Sequence, residues 1–195
     1  MRDTIYAVSA ASGRLGHAVL PALLAASGPG KVVAIARNPD KVQVAGIEKR
    51  AGDYNSVERM TAALAGIDTL IMISAPVGNW DRVAMHRNVI NAARQAGVRK
   101  IVFTSVIGGG QEQDTWFWGT QQVNRQTEQD LQASGLEWVI ARNGLYLEMD
   151  LRHIMHANAS GVYRNVGAEG KCGYITISEL AQAMGGGKTH LMNAL

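Results

Sequence analysis

The sequence predicts an α/β fold, a doubly wound parallel sheet with helices on both faces. Short apolar runs of strand length alternate with longer segments of helical period, and such alternation requires crossover connections between parallel strands. Most of these runs are apolar throughout, as in strands buried on both faces. With 195 residues, 47% hydrophobic and 18% charged, we expect one globular domain around a substantial core.

The chain opens with a strand, a turn of small residues and a helix. An apolar run from Thr4 to Val8 leads into Ser9-Ala-Ala-Ser-Gly-Arg-Leu-Gly16 and then into a helical pattern. Such a turn lets a dinucleotide pyrophosphate approach the backbone, and the helix N-terminus offers free N–H groups and the positive end of its dipole. The glycine pattern is imperfect because Ala10 stands where the first glycine is expected. An ordinary strand-to-helix turn is therefore the alternative.

Five more strands and five more helices follow in order. The predicted strands cover residues 31–36, 48–52, 68–74, 100–105 and 137–141. The predicted helices cover residues 57–64, 81–95, 121–133, 149–157 and 177–184. Ser56 and Ser178 are predicted as the N-caps of the first and last of these helices, since serine side chains accept hydrogen bonds from first-turn N–H groups.

Composition and spacing exclude several classes of function. The net charge of +3 includes no run of Lys or Arg, which argues against direct contact with nucleic acid. The single cysteine, Cys172, excludes an internal disulfide and a cysteine-based zinc site, and the five histidines lack metal-ligand partners at plausible spacing. No apolar run is long enough to span a membrane, so we expect a cytoplasmic location and no membrane partner.

Two catalytic signatures are also missing. Residues Gly187-Lys188-Thr189 resemble part of a P-loop, but Gln182 stands where the Walker pattern needs a glycine, so no triphosphate site is predicted. No tyrosine is followed four residues later by lysine, which excludes the tyrosine–lysine proton relay of many dehydrogenases. The aromatic patch Trp116-Phe-Trp118 could cover a flat substrate, although core packing or a partner contact explains it equally well.

Candidate cofactor residues follow the strands, because ligands of this fold bind at the carboxyl ends of parallel strands. Arg37 stands where an NAD-specific site usually has an acidic residue, and a cation there would pair with a 2′-phosphate, with Lys41 and Asn38 in reach. This favours NADPH over NADH, with a solvated turn as the alternative. A backbone-bonded hydroxyl explains Thr104 and Ser105 equally well. The candidate set comprises Ser9, Ser12, Gly13, Arg14, Leu15, Gly16, Arg37, Lys41, Asp53, Ser74, Ala75, Thr104 and Ser105.

Taken together, these segments resemble the atypical short-chain dehydrogenase/reductase superfamily, and within it the NmrA-like group that includes bacterial NAD(P)H:quinone oxidoreductases. The resemblance follows the family's order over about the first 150 residues. It is carried by Val8-Ser-Ala-Ala-Ser-Gly-Arg-Leu-Gly16, Ala36-Arg-Asn-Pro-Asp-Lys41, His86-Arg-Asn-Val-Ile-Asn-Ala-Ala-Arg-Gln-Ala-Gly-Val98, Arg125-Gln-Thr-Glu128 and Ala141-Arg-Asn-Gly-Leu-Tyr146, with a weaker match at Ala168-Glu-Gly-Lys171.

The resemblance implies a Rossmann-like NAD(P)-binding domain over residues 1–145. Residues 146–195 would form a small, incomplete cap on the substrate side and not an independent domain. The implied cofactor is NADPH, with NADH left open. The implied reaction is direct hydride transfer to a quinone or a similar flat conjugated-carbonyl acceptor. Asn143 and Tyr146 are the catalytic candidates, as residues that orient the acceptor.

Two departures from the family pattern keep alternatives open. Ala10 should narrow the room beneath the pyrophosphate, and Asn124 stands where relatives often have a histidine or lysine that could donate a proton. The main alternative is a non-catalytic NAD(P)-binding redox sensor that acts through a protein partner, which the missing proton relay and the incomplete cap both favour. A carbonyl reductase or epimerase is a third, which the missing tyrosine–lysine pair disfavours. The sequence also leaves a homodimer open.

Overall fold

A computed structural model describes residues 4–28, 30–78, 80–108, 113–115, 117–162 and 173–185. Its main sheet has six parallel strands in the order β3-β2-β1-β4-β5-β6. These strands are Tyr6–Val8 (β1), Val32–Ala36 (β2), Glu48–Ala51 (β3), Thr69–Met72 (β4), Lys100–Val106 (β5) and Glu137–Asn143 (β6). The order reverses direction next to β1, which confirms the doubly wound prediction and places the crevice for a ligand at the carboxyl ends of β1 and β4.

The helices form the crossovers and cover both faces of the sheet. They are Arg14–Ser27 (α1), Val57–Ala63 (α2), Arg82–Gln95 (α3), Trp118–Gln132 (α4), Leu147–Ser160 (α5) and Ile177–Gly185 (α6). Two apolar cores result, one on each face. The first packs α2, α3 and α4 against residues such as Leu70 and Phe103, and the second packs α1 and α6 against residues such as Val8 and Ile71. Alternate residues of β1, β2, β4 and β5 enter opposite cores, which is why these runs are apolar throughout.

The main departures from prediction lie near the ends of elements. Helix α4 begins at Trp118, three residues before the predicted start, and β6 continues two residues further, to Asn143. Ser56 is confirmed as an N-cap, since its hydroxyl accepts a hydrogen bond from Arg59 N. The prediction for Ser178 is wrong. The cap of α6 is Thr176, whose hydroxyl and amide exchange hydrogen bonds with Glu179 in a capping box.

A second, two-stranded parallel sheet was not predicted. It pairs Leu145–Tyr146 (β7) with Tyr174–Ile175 (β8) and so ties the end of β6 to the start of α6. Gly144 permits this pairing, because a Cβ atom there would lie 2.6 Å from the Gly173 carbonyl oxygen. The boundary at residue 145 stays a prediction. Cys172, Trp116, the match at residues 168–171 and the P-loop-like residues 187–189 lie outside the described residues.

Candidate functional site

A cleft of about 400 Å³ lies at the carboxyl ends of the central strands, where the fold places a ligand. Its walls come from the turn after β1, the turns after β2 and β3, the loop after β4, and the residues after β6. Most of the predicted site residues meet there. Those that line the cleft are Ser12, Gly13, Arg14, Leu15, Gly16, Arg37, Asp53, Ser74, Ala75 and Tyr146.

The turn after β1 has the form of an anion site. Gly13 is the N-cap of the 14-residue helix α1, with no side-chain hydrogen bond at the cap and no acidic residue in the first turn. The helix therefore directs its first N–H groups and its positive dipole end at the cleft. Gly16 lets the helix approach the strand, since a Cβ there would lie 2.7 Å from Ala11 Cα. Ala10 adopts a left-handed φ of 50°, the conformation that the expected glycine would favour.

The turn after β2 presents Arg37 at the cleft. Its side chain is exposed and free to meet a ligand phosphate from the solvent side. Asn38 instead caps the short 3₁₀ turn Pro39–Lys41, because its side-chain oxygen accepts a hydrogen bond from Asp40 N at 3.0 Å. Lys41 ends that turn and does not line the cleft, so its contact with a 2′-phosphate stays a prediction.

Ser9 and Tyr54 support the floor of the cleft. Tyr54 donates its phenolic proton to Ile73 O at 2.7 Å, so the 2.6 Å contact with Ser9 Oγ is one in which the serine donates. Burial raises the pKa of the Tyr54 phenol, with the Ser9 hydrogen bond opposing, so Tyr54 remains a donor. Ser9 is fully buried and does not line the cleft. Asp53 does line it, while one of its carboxylate oxygens accepts a hydrogen bond from Asn55 N at 3.0 Å.

Four hydrogen bonds fix the Ser74–Ala75 segment, the wall of the cleft after β4. Ser74 N donates to Thr104 Oγ1 at 2.9 Å, and Ala75 N donates to His86 Nε2 at 2.9 Å. Arg82 donates from Nε to Ala75 O at 2.9 Å and from Nη2 to Ser74 Oγ at 2.8 Å. Thr104 therefore acts behind the wall and does not line the cleft, in agreement with the alternative of a backbone-bonded hydroxyl.

His86 is a neutral acceptor in this arrangement. Its other nitrogen, Nδ1, lies 2.8 Å from Thr127 Oγ1, which itself donates to Val123 O, so Nδ1 carries the proton and Nε2 is free to accept. Burial, followed by the positive charge of Arg82, lowers the pKa of His86 to about 3. The imidazole is thus uncharged at neutral pH, as its hydrogen bond with Ala75 requires.

Ser105, another predicted cofactor residue, belongs to an ionic network around the buried carboxylate of Glu128 and does not line the cleft. It donates to Glu128 at 2.5 Å, and the same carboxylate pairs with Arg125 and Arg142 at 2.5 and 2.6 Å. Burial opposes ionisation of Glu128, but the hydrogen bonds from Arg142 and Ser105 and the charge of Arg125 outweigh it and lower its pKa. The network joins Ser105 near the end of β5 to Arg142, the residue before Asn143 in β6.

The two catalytic candidates contact each other. Asn143 is buried at the end of β6, and its side chain interacts with the phenol of Tyr146, which lines the cleft. Burial raises the pKa of Tyr146, although the interaction with Asn143 and the charge of Arg14 oppose that shift. Tyr146 therefore keeps its proton at neutral pH and presents a donor to a ligand. Asn143 does not line the cleft, so its part in orienting an acceptor stays a prediction.

Sequence reasoning missed Arg82, His86 and Trp80. Trp80 lines the cleft and is held in place by a 2.7 Å hydrogen bond from its indole nitrogen to Pro76 O. A signal for His86 was available, because a histidine among the buried positions of an amphipathic helix must find polar partners. Among the residues that the structure describes, no group of three or more His, Cys, Asp or Glu could hold a metal ion, and no helix has the length and hydropathy of a membrane span.

Comparison with known proteins agrees with this geometry. A family model described as NAD(P)H-binding matches residues 10–164. The chain is 37% identical over 181 residues to quinone oxidoreductase 2 of Escherichia coli (strain K12), covering 91% of this chain and 61% of that protein. It is 31% identical over 149 residues to an NmrA-like family domain-containing oxidoreductase of Aspergillus flavus, covering 73% and 48%.

A solved structure extends the likeness to the fold. The crystal structure of an NADPH-dependent quinone oxidoreductase of Escherichia coli complexed with NADPH superposes with a TM-score of 0.83 at 35% identity. The match covers 93% of this chain and 63% of that one, so the chain spans about 60% of the length of the Escherichia coli quinone oxidoreductase that it matches. The resemblance to the NmrA-like group is confirmed.

Proposed function

Because this chain belongs to the NAD(P)H-binding family, we propose that it is an NADPH-dependent reductase of quinones or similar flat conjugated-carbonyl acceptors. One observation supports this most strongly. A single cleft joins an anion-binding helix N-terminus and Arg37 with the protonated phenol of Tyr146. A phosphate-bearing dinucleotide fits the first part, and a neutral hydrogen-bond donor suits a carbonyl oxygen. The relative solved with NADPH is itself a quinone oxidoreductase by name.

The residues present fit a dinucleotide. The close approach of Gly16 to Ala11 and the uncapped start of α1 leave backbone N–H groups for the pyrophosphate. Arg37 would hold the 2′-phosphate, and Ser74 and Ala75 would lie beside the nicotinamide half. NADPH, when bound, supplies the hydride. The role of the chain would be to orient the acceptor, exclude water and offer hydrogen-bond donors such as the Tyr146 phenol, which lies beside Asn143.

The test is NADPH oxidation with a benzoquinone, which is monitored through the loss of nicotinamide absorbance. We expect turnover above the uncatalysed rate, and less turnover in Tyr146→Phe, which removes only the phenolic donor. The surface variant Arg87→Gln, which loses an exposed pair with Asp130, should behave as the unmodified chain. If the chain binds NADPH tightly but transfers no hydride to any quinone, the reductase proposal fails.

The redox-sensor alternative is less well supported, because the relatives described above are named as oxidoreductases. It makes a separate prediction, which is comparable affinity for oxidised and reduced cofactor without turnover. Titrating both forms separately, by fluorescence, distinguishes the two functions. A homodimer and a cytoplasmic location stay predictions.

A further inference from the structure

We propose that Ser74 donates a hydrogen bond to the carbonyl oxygen of the acceptor, and that the buried guanidinium of Arg82 polarises the serine for this role. Arg82 would be a positioning residue, since it contacts Ser74 and lies behind the cleft wall. The inference rests on the proposed quinone reductase function and names a second hydrogen-bond donor besides Tyr146.

The oxygen of the Ser74 hydroxyl already accepts a hydrogen bond, whereas its proton has no close acceptor among the described residues. Its oxygen accepts the 2.8 Å hydrogen bond from Arg82 Nη2. Its own proton has no acceptor at ordinary O–H···O distance in the described part of the chain, because the contacts with Ala75 O and Asn124 Oδ1 are both 3.5 Å. Ser74 lines the cleft and is half-buried, so a ligand oxygen can take that proton as a hydrogen bond.

Arg82 carries a charge that its surroundings do not balance. Its side chain is buried, with 6% of the residue exposed. Within the described ranges no carboxylate lies within 4 Å of its guanidinium, and its contacts are the neutral oxygens of Ala75 and Ser74. Burial lowers the pKa of Arg82, and its neighbour His86 is uncharged. Buried charges are normally paired, so an uncompensated cation beside a cleft favours negative charge that arises there.

The proposed reaction creates such a charge. Hydride from NADPH adds two electrons and one hydrogen nucleus to the quinone, which yields NADP⁺ and a hydroquinone monoanion. The negative charge appears on the former carbonyl oxygen that carries no hydrogen in this monoanion. A proton from water then converts the monoanion into the hydroquinone. The Ser74 proton stays on serine throughout and hydrogen-bonds the developing oxyanion. Preorganised donors of this kind act on the transition state more than on the ground state.

The experiment compares Ser74→Ala with Ser74→Thr, which restores a hydroxyl, and Arg82→Lys with the surface control Arg87→Gln on the same helix. Single-turnover hydride transfer is measured with saturating NADPH and a series of benzoquinones of graded reduction potential, and the Kd of NADPH is measured in parallel. We expect Ser74→Ala to lower the transfer rate by about 10²-fold, in the range known for loss of one oxyanion donor. Its rate should also depend more steeply on reduction potential, because the protein no longer helps to stabilise the oxyanion.

Three outcomes would contradict the inference, and one pattern among the variants would support it. Equal rates and equal slopes in Ser74→Ala and the unmodified chain would overturn the inference and leave the reductase function intact. A weaker NADPH affinity with an unchanged transfer rate would also overturn it, because Ser74 would then be a cofactor contact only. Absence of quinone reduction by the unmodified chain would overturn the proposed function and the inference together. The inference would be supported if the hydride transfer rate recovers partly in Ser74→Thr, falls to an intermediate value in Arg82→Lys and is unchanged in Arg87→Gln.

Discussion

Acid should destabilise this fold through His86 well before its carboxylates titrate. The folded imidazole has a pKa of about 3, while an unfolded histidine has one of about 6.5. Because the folded pKa is lowered, the unfolded chain binds a proton that the folded chain does not, and stability that is present above pH 6.5 is lost as pH falls towards 3. Between pH 7 and pH 5 the linkage relation gives a loss of about 2 kcal/mol in the free energy of unfolding from this one group.

The measurement is urea unfolding at pH 7, 6 and 5 in the unmodified chain and in His86→Gln. Glutamine can still accept from Ala75 N and donate to Thr127, but it does not titrate. Carboxylates with lowered pKa values, such as Glu128, contribute only below this window, since their unfolded pKa is about 4.3. We expect the loss between pH 7 and 5 to shrink by about 2 kcal/mol in the variant. The same pH dependence in both proteins would refute the assignment of a neutral, buried His86.

Four substitutions test the cofactor side of the cleft. Arg37→Asp should lower NADPH affinity by about 10- to 100-fold, the equivalent of one charge-assisted hydrogen bond, while NADH affinity changes little; equal losses for both cofactors would contradict the 2′-phosphate assignment. Gly16→Ala should lower the free energy of unfolding in urea by about 2 kcal/mol, because the added Cβ would lie 2.7 Å from the Ala11 backbone. Gly13→Ala should lower it by less, because the added Cβ there would lie 3.3 Å from Ala10 O. Ala10→Gly removes the strain of a left-handed φ of 50° at an alanine and takes a methyl group out of the cleft. Calorimetric titration should therefore show tighter NADPH binding, and the free energy of unfolding should be unchanged or raised by up to about 1 kcal/mol.

The strands of the main sheet could be predicted because burial on both faces gives a direct signal in the sequence. Every residue of β2 and β4 is buried, and such runs have few structural alternatives between turn signals. The sequence contains no comparable signal for the pairing of β7 with β8. Two-residue strands have no periodicity, and their contact depends on the close approach of Gly144 to Gly173. The Thr176–Glu179 capping box was readable as T-x-x-E, and only its competition with Ser178 hid it.

The cofactor side of the site was easier to predict than the wall after β4. Glycine turns and strand ends are local features, so the sequence alone assigns Gly13, Gly16 and Arg37 to one cleft. Ser74 was predicted from its place after a strand, but the groups that hold it come from two other elements. Arg82 and His86 reach the wall from α3, and a buried arginine or histidine in a helical pattern does not reveal which carbonyl or amide it will contact.

Under the proposed reductase function, the missing tyrosine–lysine pair restricts which acceptors the cleft can reduce. A lysine lowers the pKa of a catalytic phenol so that it can give up its proton, whereas burial raises the pKa of Tyr146. Reduction of an isolated ketone leaves an alkoxide, which is about as basic as hydroxide. Reduction of a quinone leaves a phenolate, a far weaker base whose parent phenol has a pKa of about 10. At about 1.36 kcal/mol for each pKa unit, the alkoxide needs several kcal/mol more stabilisation than the phenolate. Hydrogen bonds from Tyr146 and Ser74 can stabilise a phenolate without transferring a proton, and for that reason the site suits quinones better than simple carbonyls.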